Sequence, residues 1–145
     1  MTIAQAKIVG TAPQGVPFSS EEIKLDLTAL VIYAAATWDF HRYHYDAAFV
    51  KALGLPAPFV DGQMIGALLA SRLMRWGGPN AFVRKLGYRQ RATVYVGETI
   101  VLGGTVTTDA VEHGRRIATF NLTVTKADGT PVVRDGAATV DLGPG

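Results

Sequence analysis

Gly62-Gln63-Met64-Ile65-Gly66-Ala67-Leu68-Leu69-Ala70-Ser71-Arg72-Leu73-Met74-Arg75-Trp76 is the longest apolar segment of the chain. Its apolar positions run nearly all round a helical wheel until Arg72 and Arg75. The segment therefore reads as a helix enclosed by other structure and not as one lying on a surface. At a helical rise it is about 22 Å long. Gly77-Gly78-Pro79 stops it.

Downstream the period changes from helical to alternating. Tyr88 to Tyr95 reads as one strand, with Arg89, Arg91, Thr93 and Tyr95 on one face, and Glu98 to Thr108 as the next. Arg115 to Lys126 alternates most clearly, with Ala118, Phe120, Leu122 and Val124 opposite Thr119, Asn121, Thr123 and Thr125. Val132 to Leu142 is the last, and turn signals fall at Gly97, His113-Gly114 and Asp128-Gly129. Helices first and long strands afterwards is an α+β layout, with the sheet wrapped around the long helix. Such a sheet leaves an edge, which pairing with a second copy would cover, so a homodimer or higher oligomer is expected.

Upstream, residues 1–18 carry Gly10, Pro13, Gly15 and Pro17 and read as an irregular lead-in to a single domain spanning 1–145. Ser19 to Leu25 is a short strand. Asp26 then caps a helix whose apolar stripe is Leu27, Leu30, Val31 and Ala34, ending near Thr37. A second short helix, Ala47 to Leu53, closes at Gly54, and Pro56 and Pro58 force an extended path to Asp61-Gly62.

Composition narrows the function classes. The 145 residues are 48% hydrophobic and 18% charged, the profile of an ordinary globular protein. Fourteen Lys and Arg against twelve Asp and Glu leave a net charge of +2, and no basic run interleaved with aromatics appears, so nucleic acid is not an expected partner. Cysteine is absent, which removes disulfides, thiolate nucleophiles and Cys-ligated zinc. Met1 to Val16 lacks the apolar core of a secretion signal. No apolar stretch reaches about 18 residues, so no membrane span and a cytoplasmic location are expected.

The chemistry concentrates in Trp38-Asp39-Phe40-His41-Arg42-Tyr43-His44-Tyr45-Asp46, where two carboxylates, two imidazoles and one guanidinium occupy eight positions. An Asp and a His together can hold a water between a proton acceptor and a proton donor near neutral pH. Asp39 and His44 are spaced so that a loop followed by a helical turn brings them onto one wall. Asp46 reads as the cap of the helix starting at Ala47, Arg42 as a surface ion-pair partner, and His113 as an exposed turn residue. Asp39, His41, His44 and Asp61 carry donors that suit zinc or iron, but none of the helical ligand spacings of metal motifs is present, and no metal is expected.

That nine-residue stretch, with Gly54-Leu55-Pro56, Val60-Asp61-Gly62-Gln63-Met64 and Arg89 to Glu98, resembles the MaoC-like dehydratase family, which includes the (R)-specific enoyl-CoA hydratases. The likeness runs from about Leu27 to Leu142. It implies the hot-dog fold, a long central helix wrapped by a curved antiparallel β-sheet. It also implies a hydro-lyase that adds water to, or removes it from, a 2-enoyl or 3-hydroxyacyl thioester. The family's signature is Gly-Asp, any residue, Asn-Pro, an aliphatic and a His, followed later by a His-Gly that enters the central helix. Residue by residue, it implies Asp39 and His44 as the catalytic pair and Gly62 as an oxyanion donor. Here Trp38 stands for the glycine, His41 and Arg42 for Asn-Pro, Tyr43 for the aliphatic and Asp61 for the His.

The implied roles make physical sense. If Gly62 opens the central helix, its N–H is an unpaired donor at a positive dipole end, where a developing enolate oxygen gains about 3 kcal/mol from a good donor. The first assignment makes Asp39 the base and His44 the acid, with the reverse left open. Trp38, Phe40, His41, Tyr43 and Asp61 are expected to shape the acyl pocket, in a tunnel beside the long helix. Arg72, Arg75, Arg84, Lys85, Arg89 and Arg91 are the cations available to coenzyme A phosphates, of which Arg89 and Arg91 lie in the strand that resembles the family's. The thioester, on coenzyme A or an acyl carrier, is substrate, and no cofactor is expected. Two other readings stand beside this one: a hot-dog thioesterase, with Asp39 directing water at the thioester carbon, and a subunit of a heteromeric MaoC-like hydratase paired with a second hot-dog chain.

Overall fold

A computed structural model describes residues 17–145, so the lead-in lies outside the described residues except for its last two positions, which already belong to the first strand. The elements in order are β1 (Pro17–Lys24), α1 (Leu27–Thr37), a 3-10 turn (Arg42–His44), α2 (Ala47–Ala52), α3 (Gly62–Gly77), β2 (Phe82–Gln90), β3 (Thr99–Glu112), β4 (Arg115–Lys126) and β5 (Pro131–Pro144). The five strands form one antiparallel sheet in the order β1-β3-β4-β5-β2, which leaves β2 at an edge. This is the α+β hot-dog arrangement expected of the sequence.

Every strand sends side chains toward α3. Phe18, Ile100, Leu102, Phe120, Leu122, Val132 and Val140 join Ile65, Leu69 and Leu73 of the helix in one buried cluster, with Leu86 and Tyr88 of β2 packed against it. Rings fill the far end: Phe18, Trp76 and Phe120 meet edge to face. Beside the helix, where the sequence reading expected an acyl tunnel, these side chains occupy the inner face of the sheet.

The elements depart from the sequence reading at their ends and in their faces. The strand expected over Tyr88–Tyr95 is instead Phe82–Gln90. Beyond Arg91 the chain leaves β5 because another partner takes its hydrogen bonds: Val96 N–H donates to Pro58 O and Val60 N–H to Val94 O, both at 2.8 Å. The extended path set by Pro56 and Pro58 supplies that partner, and local alternation carries no trace of it. In α1 only Leu30 and Ala34 of the expected stripe are buried, whereas Leu27 and Val31 are exposed. The covering of α3 is likewise one-sided, since Ala67, Ser71 and Met74 are exposed.

At the end of the sheet remote from the N-terminus of α3 lies Asp141, the one buried charged residue among those described, 3% exposed. Arg115 donates to it at 2.6 Å, Arg84 donates through two nitrogens, and the Gly143 N–H donates at 2.9 Å. Hydrogen bonding from Arg115 first, then from the Gly143 backbone, holds this carboxyl far below the usual carboxylate range.

Candidate active site

The N-terminus of α3 is held from below by the edge strand. The Tyr88 hydroxyl donates to the carbonyl oxygen of Gly62 at 2.7 Å. A Cβ on Gly66 would fall 2.5 Å from that hydroxyl, so only glycine lets Tyr88 reach past the helix. Burial, then a hydrogen bond from Gly66 and the charge of Asp61, act on the Tyr88 phenol, with the net effect of raising its pKa. Asp61 caps the helix, its Oδ1 accepting the Gln63 N–H at 2.8 Å. Gly62, as the first helical residue, is left with an N–H that has no intrahelical partner.

Trp38 ends α1 in the left-handed region (φ 60°), at the position where the family signature has glycine. The reversal places Asp39 at the helix end, its Oδ1 accepting the His41 N–H at 3.2 Å. His41 Nδ1 in turn accepts the Tyr43 N–H at 3.3 Å, which starts the 3-10 turn that carries His44 inward. His44 Nδ1 lies 2.8 Å from the Phe59 carbonyl oxygen. A carbonyl only accepts, so Nδ1 carries the proton and Nε2 is the atom left for chemistry.

Asp39, His44 and Asp61 thus converge from three separate segments, each with a donor atom within 4.8 Å of the others. They line a narrow cleft together with Leu30, Tyr33, Ala34 and Met64. One imidazole and two carboxylates at this spacing are also a set of donors that a divalent cation accepts. The Tyr33 phenol is pushed up by burial first, and then by the charges of Asp61, Tyr88 and Asp39. It keeps its proton and faces the cleft as a donor.

The other positions read as functional lie elsewhere. Trp38 is 83% exposed, its ring edge-on to Phe40, and neither lines the cleft. His41 is exposed and stacks on Tyr43, which packs on Phe49 and Phe59. Arg72 and Arg75 both pair with Glu21, and Arg84 pairs with Asp141. Asp46 caps α2 through Phe49 N–H and pairs with Arg42, as read; its carboxyl is held low, first by that backbone bond and then by Arg42. The sequence reading missed Tyr33, Met64, Tyr88 and Gln90. Tyr33 carried a visible signal, since it precedes Ala34 on the helix that leads into Asp39, but it stood outside the apolar stripe.

The sheet order and the helix it encloses define a hot-dog protein. The family model described as MaoC like domain matches residues 9–129, and the chain belongs to that family. It is 34% identical over 95 residues to the 3-oxo-4,17-pregnadiene-20-carboxyl-CoA hydratase beta subunit of Mycobacterium tuberculosis, covering 64% of this chain and 72% of that one. Among solved structures it resembles the (R)-hydratase of A. caviae involved in PHA biosynthesis, with TM-score 0.79, 22% identity, and coverage of 91% and 98% of the two chains. It also resembles the ChsH1-ChsH2 complex of Mycobacterium tuberculosis, with TM-score 0.75, 26% identity, and coverage of 89% and 96%.

Proposed function

We propose that the chain hydrates a 2-enoyl thioester, or dehydrates the corresponding 3-hydroxyacyl thioester, at the cleft between α1 and α3. The observation that carries this reading is the meeting of Asp39 and His44 beside the N-terminus of α3. Asp39 takes a proton from the water as its oxygen bonds to C3. His44, entering the step as the imidazolium with both ring nitrogens protonated, gives its Nε2 proton to C2 and keeps the Nδ1–H on Phe59 O. The Gly62 N–H receives the thioester oxygen while it carries enolate charge. Each acid–base group of this kind contributes roughly 10²–10⁴-fold. The donor Tyr33 is the further group available to the water or the thioester oxygen.

A second hot-dog chain completes the assembly in this reading. The edge strand β2 is free to pair, and α1 presents Leu27, Val31 and Ile32 beside the exposed rings of Trp38 and Phe40. The relative from Mycobacterium tuberculosis is named as a beta subunit, which favours a heteromer alongside the homodimer. The test follows loss of the enoyl-thioester absorbance over a panel of acyl-CoAs, with thiol release monitored in parallel. Loss of the band without thiol release supports hydration. Thiol release alone replaces it with a thioesterase. No turnover except with an added second hot-dog chain makes this protein a subunit.

A further inference from the structure

The fold divides the nine arginines of the chain into two groups. Arg42 pairs with Asp46, Arg72 and Arg75 with Glu21, Arg84 and Arg115 with Asp141, and Arg116 with Asp109. Arg89, Arg91 and Arg134 take part in none of the ion pairs among the described residues. These three lie together. Arg89 of β2 and Arg134 of β5 are direct partners in the antiparallel register. The Arg91 N–H extends the same ladder by donating to Val132 O at 2.8 Å. All three are exposed, whereas the intervening pair, Gln90 and Val133, turns inward.

Like charges directly opposite on adjacent strands destabilise the pair. Here no carboxylate of the described residues forms an ion pair with any of them, Asp135, next to Arg134, included. The patch is also close to the cleft. Tyr88 and Gln90, on either side of Arg89, both reach Gly62: the first bonds its carbonyl, and the second has Oε1 2.8 Å from where a Gly62 Cβ would sit. One thickness of edge strand therefore separates the unpaired guanidinium groups from the helix end that receives the thioester.

We propose that Arg89, Arg91 and Arg134 bind the phosphate groups of a coenzyme A thioester whose acyl end lies in the cleft. The inference rests on the hydratase reading for its acyl end only. Guanidinium forks suit phosphate oxygens, and a bound polyanion removes the repulsion that the free ladder carries. It also separates the carrier, read at the outer face of β2, from the acyl group, read at the cleft.

The experiment compares one enoyl group on coenzyme A and on pantetheine, which lacks the nucleotide phosphates, for wild type, Arg89→Gln, Arg134→Gln and the double variant. The expected result is a KM for enoyl-CoA raised about tenfold or more per arginine, as for other charge-assisted contacts, with the effect confined to the phosphate-bearing substrate. Tm should hold or rise, because like charges are removed from one ladder. Equal effects on both thioesters, or a fall in Tm in both single variants, would overturn the proposal. So would a response seen only when the enoyl group rides on an acyl carrier protein. Calorimetric titration with free coenzyme A separates this inference from the hydratase reading. Binding to wild type but not to the double variant supports the arginine site even if no thioester is hydrated. Hydration of both thioesters with unchanged KM in every variant sinks the arginine site alone.

Discussion

His44 donates its Nδ1–H to the carbonyl oxygen of Phe59 at 2.8 Å, across fifteen positions of sequence. That carbonyl is itself placed by long-range contacts: Phe59 N–H donates to Tyr43 O at 3.1 Å, and Phe59 bridges to Tyr95. The imidazole is thus oriented by a segment that belongs to neither helix of the cleft, and Nε2 is the ring nitrogen left for chemistry.

His44→Ala and Asp39→Asn should each lower the rate of hydration by roughly 10²–10⁴-fold while Tm stays near the wild-type value. The double variant should be little worse than either single one, because both groups act as a unit in one addition step. Asp46→Asn and His113→Ala serve as controls. Steady-state rates on the best enoyl thioester decide it, and near-normal turnover by His44→Ala would discard the pair.

Gly66→Ala should weaken both stability and activity. Its Cβ would meet the Tyr88 hydroxyl at 2.5 Å and ring carbon at 3.0 Å. Overpacking of this kind costs about 1–3 kcal/mol. It outweighs the roughly 1 kcal/mol that alanine gains over glycine inside a helix. Displacing Tyr88 also releases the Gly62 carbonyl, so the N–H proposed as oxyanion donor loses its placement. Tyr88→Phe keeps the ring and loses only the hydrogen bond, about 1 kcal/mol. Urea unfolding of the two variants, read beside their rates, tests the order. A stabilised Gly66→Ala would refute it.

Stability at low pH should follow Asp141. Its carboxyl is held far below its unfolded value by Arg115, Gly143 and Arg84. A depressed native pKa contributes stability above the unfolded value of about 3.9, and that contribution drains away as pH falls below it. Asp141→Asn should therefore melt lower than wild type at pH 7, with the gap closing as pH drops below about 4. A gap that stays constant across this range would rule out the linkage.

Ile32→Glu should dissociate the proposed dimer. Ile32 is 64% exposed on the outer face of α1, beside Val31 and close in sequence to the exposed Trp38. A buried, unpaired carboxylate at such an interface is strongly unfavourable. Light scattering at micromolar concentration should show a smaller species, while circular dichroism stays that of the wild type. An unchanged oligomer would move the interface away from α1.

The long helix, the α+β order and the strand Arg115–Lys126 were legible because each rests on a local period: one apolar run too continuous for a surface, and one alternation without interruption. The ends of β2 were not legible. Where that strand stops depends on the partner its N–H and C=O groups find, and here the segment around Pro58 to Val60 takes over from β5. The same limit applied to α1, whose apolar residues surround the helix, so that composition named its face wrongly and packing chose Leu30 and Ala34.

By itself the sequence determined the α+β layout and the capping of α2 by Asp46, which follow from local periods and side-chain chemistry, while its resemblance to the MaoC-like family pointed to the hot-dog fold and to Asp39 and His44 as the residues to watch. Only the tertiary structure decided that Asp61 joins that pair, that Tyr33 and Met64 share their cleft while Trp38 and Phe40 turn outward, and that Arg72, Arg75 and Arg84 are already paired. The physical reason is the same in each case. Charge and hydrogen-bonding capacity are properties of a residue, but a partner is set by which distant segments the sheet brings within a few ångströms. Arg89 and Arg134 are 45 positions apart in sequence and direct neighbours in the ladder, and no local pattern carries that pairing.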